Sequence, residues 1–177
     1  GMTGKQGSLK EIAAYKDEYN CRLLVDDAHG FGTLGKTGAG AGEEQGCQDK
    51  IDIYFSTFAK SMAGFGAFIA GDKEIIRILK YNLRSQIFAK SLTMPMVIGG
   101  LKRLELLRNS SELKDKLWHN VEKIQTGLKE RGFDIGGSNT CVTPIVLNGS
   151  PIEATILAKE MREEYGIFVS VVVYPVI

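Results

Sequence analysis

The sequence predicts an α/β fold with a mostly parallel sheet, passing from about residue 109 into a smaller α+β unit. Three observations predict it. Short apolar runs suited to buried strands, such as Arg22-Leu-Leu-Val-Asp26 and Ile51 to Thr57, alternate with helical stretches. Many of the 21 glycines gather between Gly30 and Gly71, where strands would end and the backbone would turn tightly or approach a ligand. Two Ser-x-x-Glu boxes and a Met94-Pro95 step mark helix starts.

In chain order, Ser8-Leu-Lys-Glu11 reads as a capping box opening a helix to about Tyr19, with Leu9, Ile12, Tyr15 and Tyr19 on its apolar face. Arg22 to Asp26 is the first strand, Gly30 to Gly46 a glycine-rich loop, and Ile51 to Thr57 the second strand. Phe65 to Ala70 is a third strand bounded by Gly64 and Gly71. Lys73 to about Phe88 is one helix, with Ile75, Ile76, Ile78 and Leu79 as its apolar side. Pro95 sits in the first turn of a helix ending near Arg108. Ser110 or Ser111 opens another, stopped at Arg131-Gly132 by a glycine cap. Val142 to Leu147 is a strand; Ser150-Pro-Ile-Glu153 opens a helix ending at Tyr165-Gly166; Ile167 to Val173 is a last strand.

Composition narrows the function classes. Hydrophobic residues at 44% and charged residues at 24% are ordinary for a globular protein. A net charge of +1 gives no sign of a nucleic-acid-binding or polybasic membrane surface. No apolar run approaches the roughly 20 residues of a membrane span, and the first residues lack a signal peptide's apolar core. Cys21, Cys47 and Cys141, odd in number and without CxxC spacing, fit a reducing cytoplasm and no zinc site. With only His29 and His119 besides, no metal centre is expected.

The chemistry gathers at two strand ends. Open α/β sheets bind ligands beyond the carboxyl ends of parallel strands. Asp26 and His29 lie there on one strand, Thr57 and Lys60 on the next. Singly, each has a plain explanation: a turn-forming Asp, a structural His, a solvated Lys. Together they bring a carboxylate, an imidazole, a hydroxyl and an amine to one crevice, where a lysine that reacts with a carbonyl would sit beside a partner and partly out of water. Gly30-Phe-Gly32-Thr-Leu-Gly35 satisfies the G-x-G-x-x-G string, but its context is wrong. Asp-Asp-Ala-His separates strand from glycines, and Gly38, Gly40 and Gly42 continue the loop where a dinucleotide-binding helix would open.

Leu-Leu-Val-Asp-Asp-Ala-His-Gly-Phe-Gly, followed by Ser-Thr-Phe-Ala-Lys-Ser, resembles the α-oxoamine synthases. These are pyridoxal-phosphate enzymes of the aminotransferase-like fold type I that join an amino acid to an acyl-coenzyme A thioester. They include serine palmitoyltransferase, glycine C-acetyltransferase, 8-amino-7-oxononanoate synthase and 5-aminolevulinate synthase. The resemblance runs from Met2 to Ile177, and the two motifs, 34 residues apart from Asp26 to Lys60, are specific as a pair. It implies that Lys60 forms the Schiff base with the cofactor aldehyde and later removes the substrate Cα proton. Asp26 would pair with the ring nitrogen, and His29 would bond the ring phenolate and steady charge at the thioester carbonyl. Thr57 would bind the cofactor phosphate. It further implies a cytoplasmic homodimer whose active site is shared between subunits, with Ser91 of the Phe88-Ala89-Lys90-Ser91 segment reaching the cofactor phosphate; Lys90 fits equally a solvated helix end.

The chain departs from the pattern at Ala39, where relatives carry arginine, and at Ala89, where they carry a hydroxyl. By resemblance, residues 1–91 are the second half of the cofactor-binding large domain, 92–108 a connecting helix and 109–177 the start of the small domain. Members are longer, so a fragment is expected, inactive and self-associating when alone. Serine or glycine is the favoured amino acid. A fold type I aminotransferase and a non-catalytic scaffold are the alternatives.

Overall fold

The computed structural model describes residues 1–173; Tyr174 to Ile177, the end of the resemblance, lie outside the described residues. A first helix, α1 (Leu9–Glu18), leads into strand β1 (Leu24–Asp26). A glycine loop follows, holding the short helix α2 (Ala41–Glu44) and a 3-10 turn (Gln48–Lys50). Strands β2 (Ile53–Thr57) and β3 (Ala67–Gly71) complete a sheet of order β1-β2-β3. Its ladder is mixed: β1 pairs parallel with β2, Asp26 opposite Phe55, and β3 returns antiparallel, Thr57 opposite Ala67. The parallel pair sets both site-bearing strand ends at one edge of the sheet.

Alternation along these strands decides what is buried. Tyr54 and Ser56 of β2 face inward, and Phe68 of β3 meets Phe31, Tyr54 and Phe58 with ring centroids 5.2–6.2 Å apart. On α1 the buried residues are Leu9 and Ala13, which pack with Cys47 against Leu23, Val25, Ala41 and Ile51. The expected stripe of Ile12, Tyr15 and Tyr19 is instead at least half exposed. The helix buries Leu9 and Ala13 against Cys47, Ala41 and Val25, which leaves that stripe on the outside. The Ser8 capping box does not form: Ser8 makes no side-chain cap bond, and Leu9 N–H donates to Gly7 O at 2.8 Å.

Helices α3 (Lys73–Asn82) and α4 (Arg84–Phe88) replace the single helix expected over 73–88. The break is at Leu83, whose backbone is extended (φ −79°, ψ 108°) and whose N–H closes α3 on Leu79 O. Then α5 (Met94–Asn109) starts with Pro95 in its first turn, as the sequence predicts, and α6 (Ser111–Glu130) follows. Gly132 ends α6: at φ +80° it donates to Lys129 O while Phe133 donates to Leu128 O, the double bond of a Schellman cap. Helix α7 (Pro151–Tyr165) has a complete capping box, Ser150 Oγ accepting from Glu153 N–H and Glu153 from Ser150 N–H, and ends at left-handed Gly166.

Residues 142–147 and 167–173 form no strand, contrary to the sequence reading. A strand exists only through a partner, and none is present among the described residues. The backbone bonds there run from Val146 N–H to Asp134 O and from Ile167 N–H to Met161 O, neither of them a ladder.

The second half of the chain nonetheless grips the first. Trp118 Nε1 of α6 donates to Thr33 O at 2.8 Å, and Lys114 Nζ to the carbonyls of Gly35 and Lys36. Ser138 and Thr140 hydroxyls donate to Gly4 O at 3.1 and 3.0 Å.

Candidate active site

The site begins at the end of β1. Asp26 Oδ1 accepts from Ala28 N–H at 3.0 Å, folding the carboxylate back over a turn that carries His29. The His29 carbonyl accepts from the Thr33 hydroxyl at 2.7 Å, tying that turn to the glycine loop. On the neighbouring strand Thr57 closes β2: its hydroxyl donates to Gly66 O at 3.0 Å and accepts from Ala59 N–H at 3.1 Å. Lys60 sits at the start of the next bend, where its carbonyl accepts from Ala63 N–H and Gly64 N–H returns to Phe58 O at 2.6 Å. Ala63 holds a φ of +43°, an uncommon conformation for a residue with a Cβ.

Asp26, His29 and Lys60 line one cavity of about 420 Å³. Lys5, Gln6 and Thr140 border it from the N-terminal segment and the 138–140 loop. Among the described residues the Lys60 amine and the His29 ring make no hydrogen bond, and Asp26 Oδ2 has no partner. Burial, then the charge of Lys60, pushes the His29 pKa below its usual value, so the imidazole is neutral near pH 7. Lys60 itself is exposed, so the shielding expected of a reactive amine does not come from the described residues.

Two expected residues lie elsewhere. Thr57 does not line the cavity, because its hydroxyl is committed to the Gly66 carbonyl. Ser91 is exposed on the segment after α4, away from the cavity. The glycines at 30, 32 and 35 form successive turns, with Gly32 N–H bonded to Gly38 O at 2.8 Å, and no helix opens on them.

Sequence reasoning passed over the most buried charge at the site. Asp27 is 7% exposed, borders the same cavity and turns one carboxylate oxygen into the interior. Its Oδ2 accepts from Ala41 N–H at 2.7 Å and from the Tyr54 hydroxyl at 3.0 Å. Burial raises the Asp27 pKa above the usual carboxylate value despite these donors, and also pushes that of Tyr54 strongly upward. The one available signal was the doubled acid of Asp26-Asp27, since alternation sends adjacent strand residues to opposite faces.

The family profile of aminotransferase class I and II matches residues 1–177. The chain belongs to that family. It is 64% identical over its whole length to a cysteate-C-fatty acyltransferase of Capnocytophaga ochracea, covering 42% of that protein. It is 38% identical over 99% of its length to a serine palmitoyltransferase of Sphingobacterium spiritivorum, covering 44% of it. A serine palmitoyltransferase structure from S. paucimobilis, solved with bound PLP–myriocin, superposes with a TM-score of 0.88 at 28% identity, over 96% of this chain and 44% of that one. The 8-amino-7-oxononanoate synthase of Francisella tularensis superposes at 0.75 with 26% identity, over 92% and 49%. The resemblance read from the two motifs is thus shown, as is a fold type I architecture. The chain spans less than half the length of these relatives.

Proposed function

We propose that this chain supplies the lysine, the ring-nitrogen carboxylate and the imidazole of a pyridoxal-phosphate enzyme that condenses an amino acid with a fatty acyl thioester. The observation that carries this reading is the convergence of Asp26, His29 and Lys60 on one cavity, with the Lys60 amine, the His29 ring and Asp26 Oδ2 making no hydrogen bond among the described residues. That donor set fits the cofactor: a carboxylate for a pyridinium nitrogen, an uncharged imidazole for a ring oxygen and a primary amine for an aldehyde. When bound, pyridoxal phosphate supplies the aldehyde that captures amines and a ring that takes up the electron pair left at the amino acid's Cα.

Asp26 holds the ring nitrogen's proton in place. Lys60 anchors the cofactor through its amine and, once displaced by the substrate's amine, accepts the Cα proton. His29, neutral, donates a hydrogen bond toward the oxygen that gains charge at the thioester carbonyl. A bond forms between Cα and that carbonyl carbon, the carbon–sulfur bond breaks and the thiol leaves with a proton; where the substrate carboxylate then departs as carbon dioxide, a proton takes its place at Cα. Thr57, after a turn of its hydroxyl from Gly66, and Ser91 from a partner subunit complete the phosphate contacts in this reading, which takes the enzyme as a cytoplasmic homodimer. Its division is 1–91 for the large domain, 92–108 for the connecting helix and 109–177 for the small domain's start.

Cysteate is the first candidate amino acid, because identity is 64% to a cysteate enzyme against 38% to a serine one. Serine and then glycine follow. Thiol release by the full-length enzyme, with a fatty acyl thioester and each of cysteate, serine, glycine and alanine, tests this. Highest kcat/KM with cysteate is the expected result. Amino transfer to a keto acid without thiol release would establish the aminotransferase reading, and absence of a visible cofactor band the scaffold reading.

A further inference from the structure

Asp26 and Asp27 both border the cavity, but only Asp26 contacts the ligand in the reading above, while Asp27 turns its Oδ2 inward to Ala41 and Tyr54. We infer that Asp27 is a positioning residue: its buried carboxylate clamps the turn that carries His29 to β2 and to the start of α2, and so sets where Asp26 and His29 stand. The inference rests on the proposed function for its readout and on contacts for its argument.

Those contacts come from two directions. Oδ2 accepts from Ala41 N–H at the first turn of α2 and from the Tyr54 hydroxyl on β2. The backbone adds its share: Asp27 N–H extends the ladder to Phe55 O at 2.9 Å, and Asp27 O accepts from Gly30 and Phe31 at 3.1 Å each. Packing fixes the clamp as tightly as bonding does. A Cβ on Gly30 or on Gly40 would overlap the Asp27 carboxylate, so both segments close on it as bare backbone. The span from Gly30 to Gly40 is thereby pinned at both ends to one side chain.

The chemistry of these donors favours a carboxylate. Both the Ala41 N–H and the Tyr54 O–H converge on Oδ2. An asparagine offers them either a neutral oxygen, a weaker acceptor than a charged one, or, turned over, an NH2 that leaves both unsatisfied. The turn relaxes, and His29, held otherwise through its carbonyl to Thr33, moves with it. Displacements near 1 Å at a reacting centre cost about 100-fold in rate.

The test uses the full-length enzyme loaded with pyridoxal phosphate. Asp27→Asn is expected to lower kcat roughly 100-fold with KM little changed, and to weaken the visible circular dichroism of the bound cofactor, which reports how asymmetrically it is held. Asp27→Glu, which keeps two acceptor oxygens, is expected to restore most of both signals. A purely structural role would lower the melting temperature alone. Wild-type kcat and dichroism in a folded Asp27→Asn variant would overturn the inference. Should that variant fail to fold, Tyr54→Phe decides, since it removes one donor and leaves the charge. A several-fold loss of kcat and dichroism at unchanged melting temperature supports the clamp, and no change overturns it. Wild-type enzyme without cofactor-dependent thiol release would instead refute the proposed function, a result these variants cannot produce.

Discussion

Residues 24–57 and residues 73–109 are built on opposite principles. In the first stretch polar groups are closely satisfied: Asp27, Asp52, Ser56 and Tyr54 are buried, and no buried side-chain polar atom among the described residues lacks a partner. The second stretch buries nothing. Helices α3, α4 and α5 have no buried residue, and Tyr81, Phe88, Met94 and Leu101 are each more than 60% exposed. An apolar surface of that extent is the mark of an interface. The site corner is therefore organised by contacts within this chain, whereas the helical stretch is shaped to be covered.

The largest expected effect lies in the corner. Lys60→Ala in the full-length enzyme should abolish turnover, by at least about 1000-fold, and remove the pyridoxyl label that borohydride reduction otherwise fixes on a Lys60 peptide. A label found on Lys73 or Lys90 with Lys60 unmodified would move the chemistry out of the corner and break the comparison.

The helical stretch answers to a different measurement. On a sizing column the 177-residue chain should elute as a self-associating species, and replacing Tyr81 and Phe88 with serine should shift it toward the monomer. Hydrogen exchange on the same sample should protect the amides of 53–57 well beyond those of 73–109, because exchange follows local burial. A monodisperse monomer with evenly protected helices would show that the apolar face needs no cover.

How much of this was legible beforehand depended on range. Pro95, Ser150 with Glu153, and Gly132 act through backbone groups within four residues, and each was read correctly from its own neighbourhood. The convergence of Asp26, His29 and Lys60 on one cavity was legible because strand ends in α/β sheets collect such groups. Asp27 was not, since its partners Ala41 and Tyr54 lie 14 and 27 residues away. The strands expected at 142–147 and 167–173 failed for the same reason, because alternation describes a face while only a neighbour makes a ladder. The break at Leu83 carries no glycine or proline to announce it.

Asp52 offers an intermediate effect on the side of the corner away from the cavity. Its carboxylate accepts from Leu23 N–H at 2.8 Å and meets Lys16 and Arg22 at 2.9 and 3.0 Å. The Leu23 amide first, then Lys16, holds its pKa down to about 2. A carboxylate whose pKa is depressed in the fold contributes stability that is present above the unfolded value and lost as pH falls through the folded one. Stability of the full-length enzyme should thus decline between about pH 4 and pH 2 through this group. Asp27, raised by burial, acts with the opposite sign, its contribution fading as pH rises through its folded pKa. Asp52→Asn should cost about 1–3 kcal/mol at neutral pH and flatten the acid limb of a denaturant-midpoint profile. An unchanged limb would mean that other carboxylates govern it.

The smallest effect separates two sequences that look alike. Ser8-Leu-Lys-Glu11 and Ser150-Pro-Ile-Glu153 carry the same capping signature, yet only Ser150 accepts from the amide three residues on. The difference lies in the approach. Ser150 has the extended backbone a cap requires (φ −76°, ψ 155°), and Pro151 fixes the following turn. Ser8 stands at φ −73°, ψ 66°, with Gly7 O already taking the Leu9 amide, and α1 is held instead by Leu9 and Ala13 against the sheet. Ser150→Ala should therefore weaken α7 by about 1 kcal/mol, read as roughly fivefold faster hydrogen exchange of its first-turn amides. Ser8→Ala should leave α1 exchange unchanged. Equal acceleration in both helices would mean that the Ser8 box forms in solution, and α1 would then owe its start to the same local chemistry as α7 and less to the corner it covers.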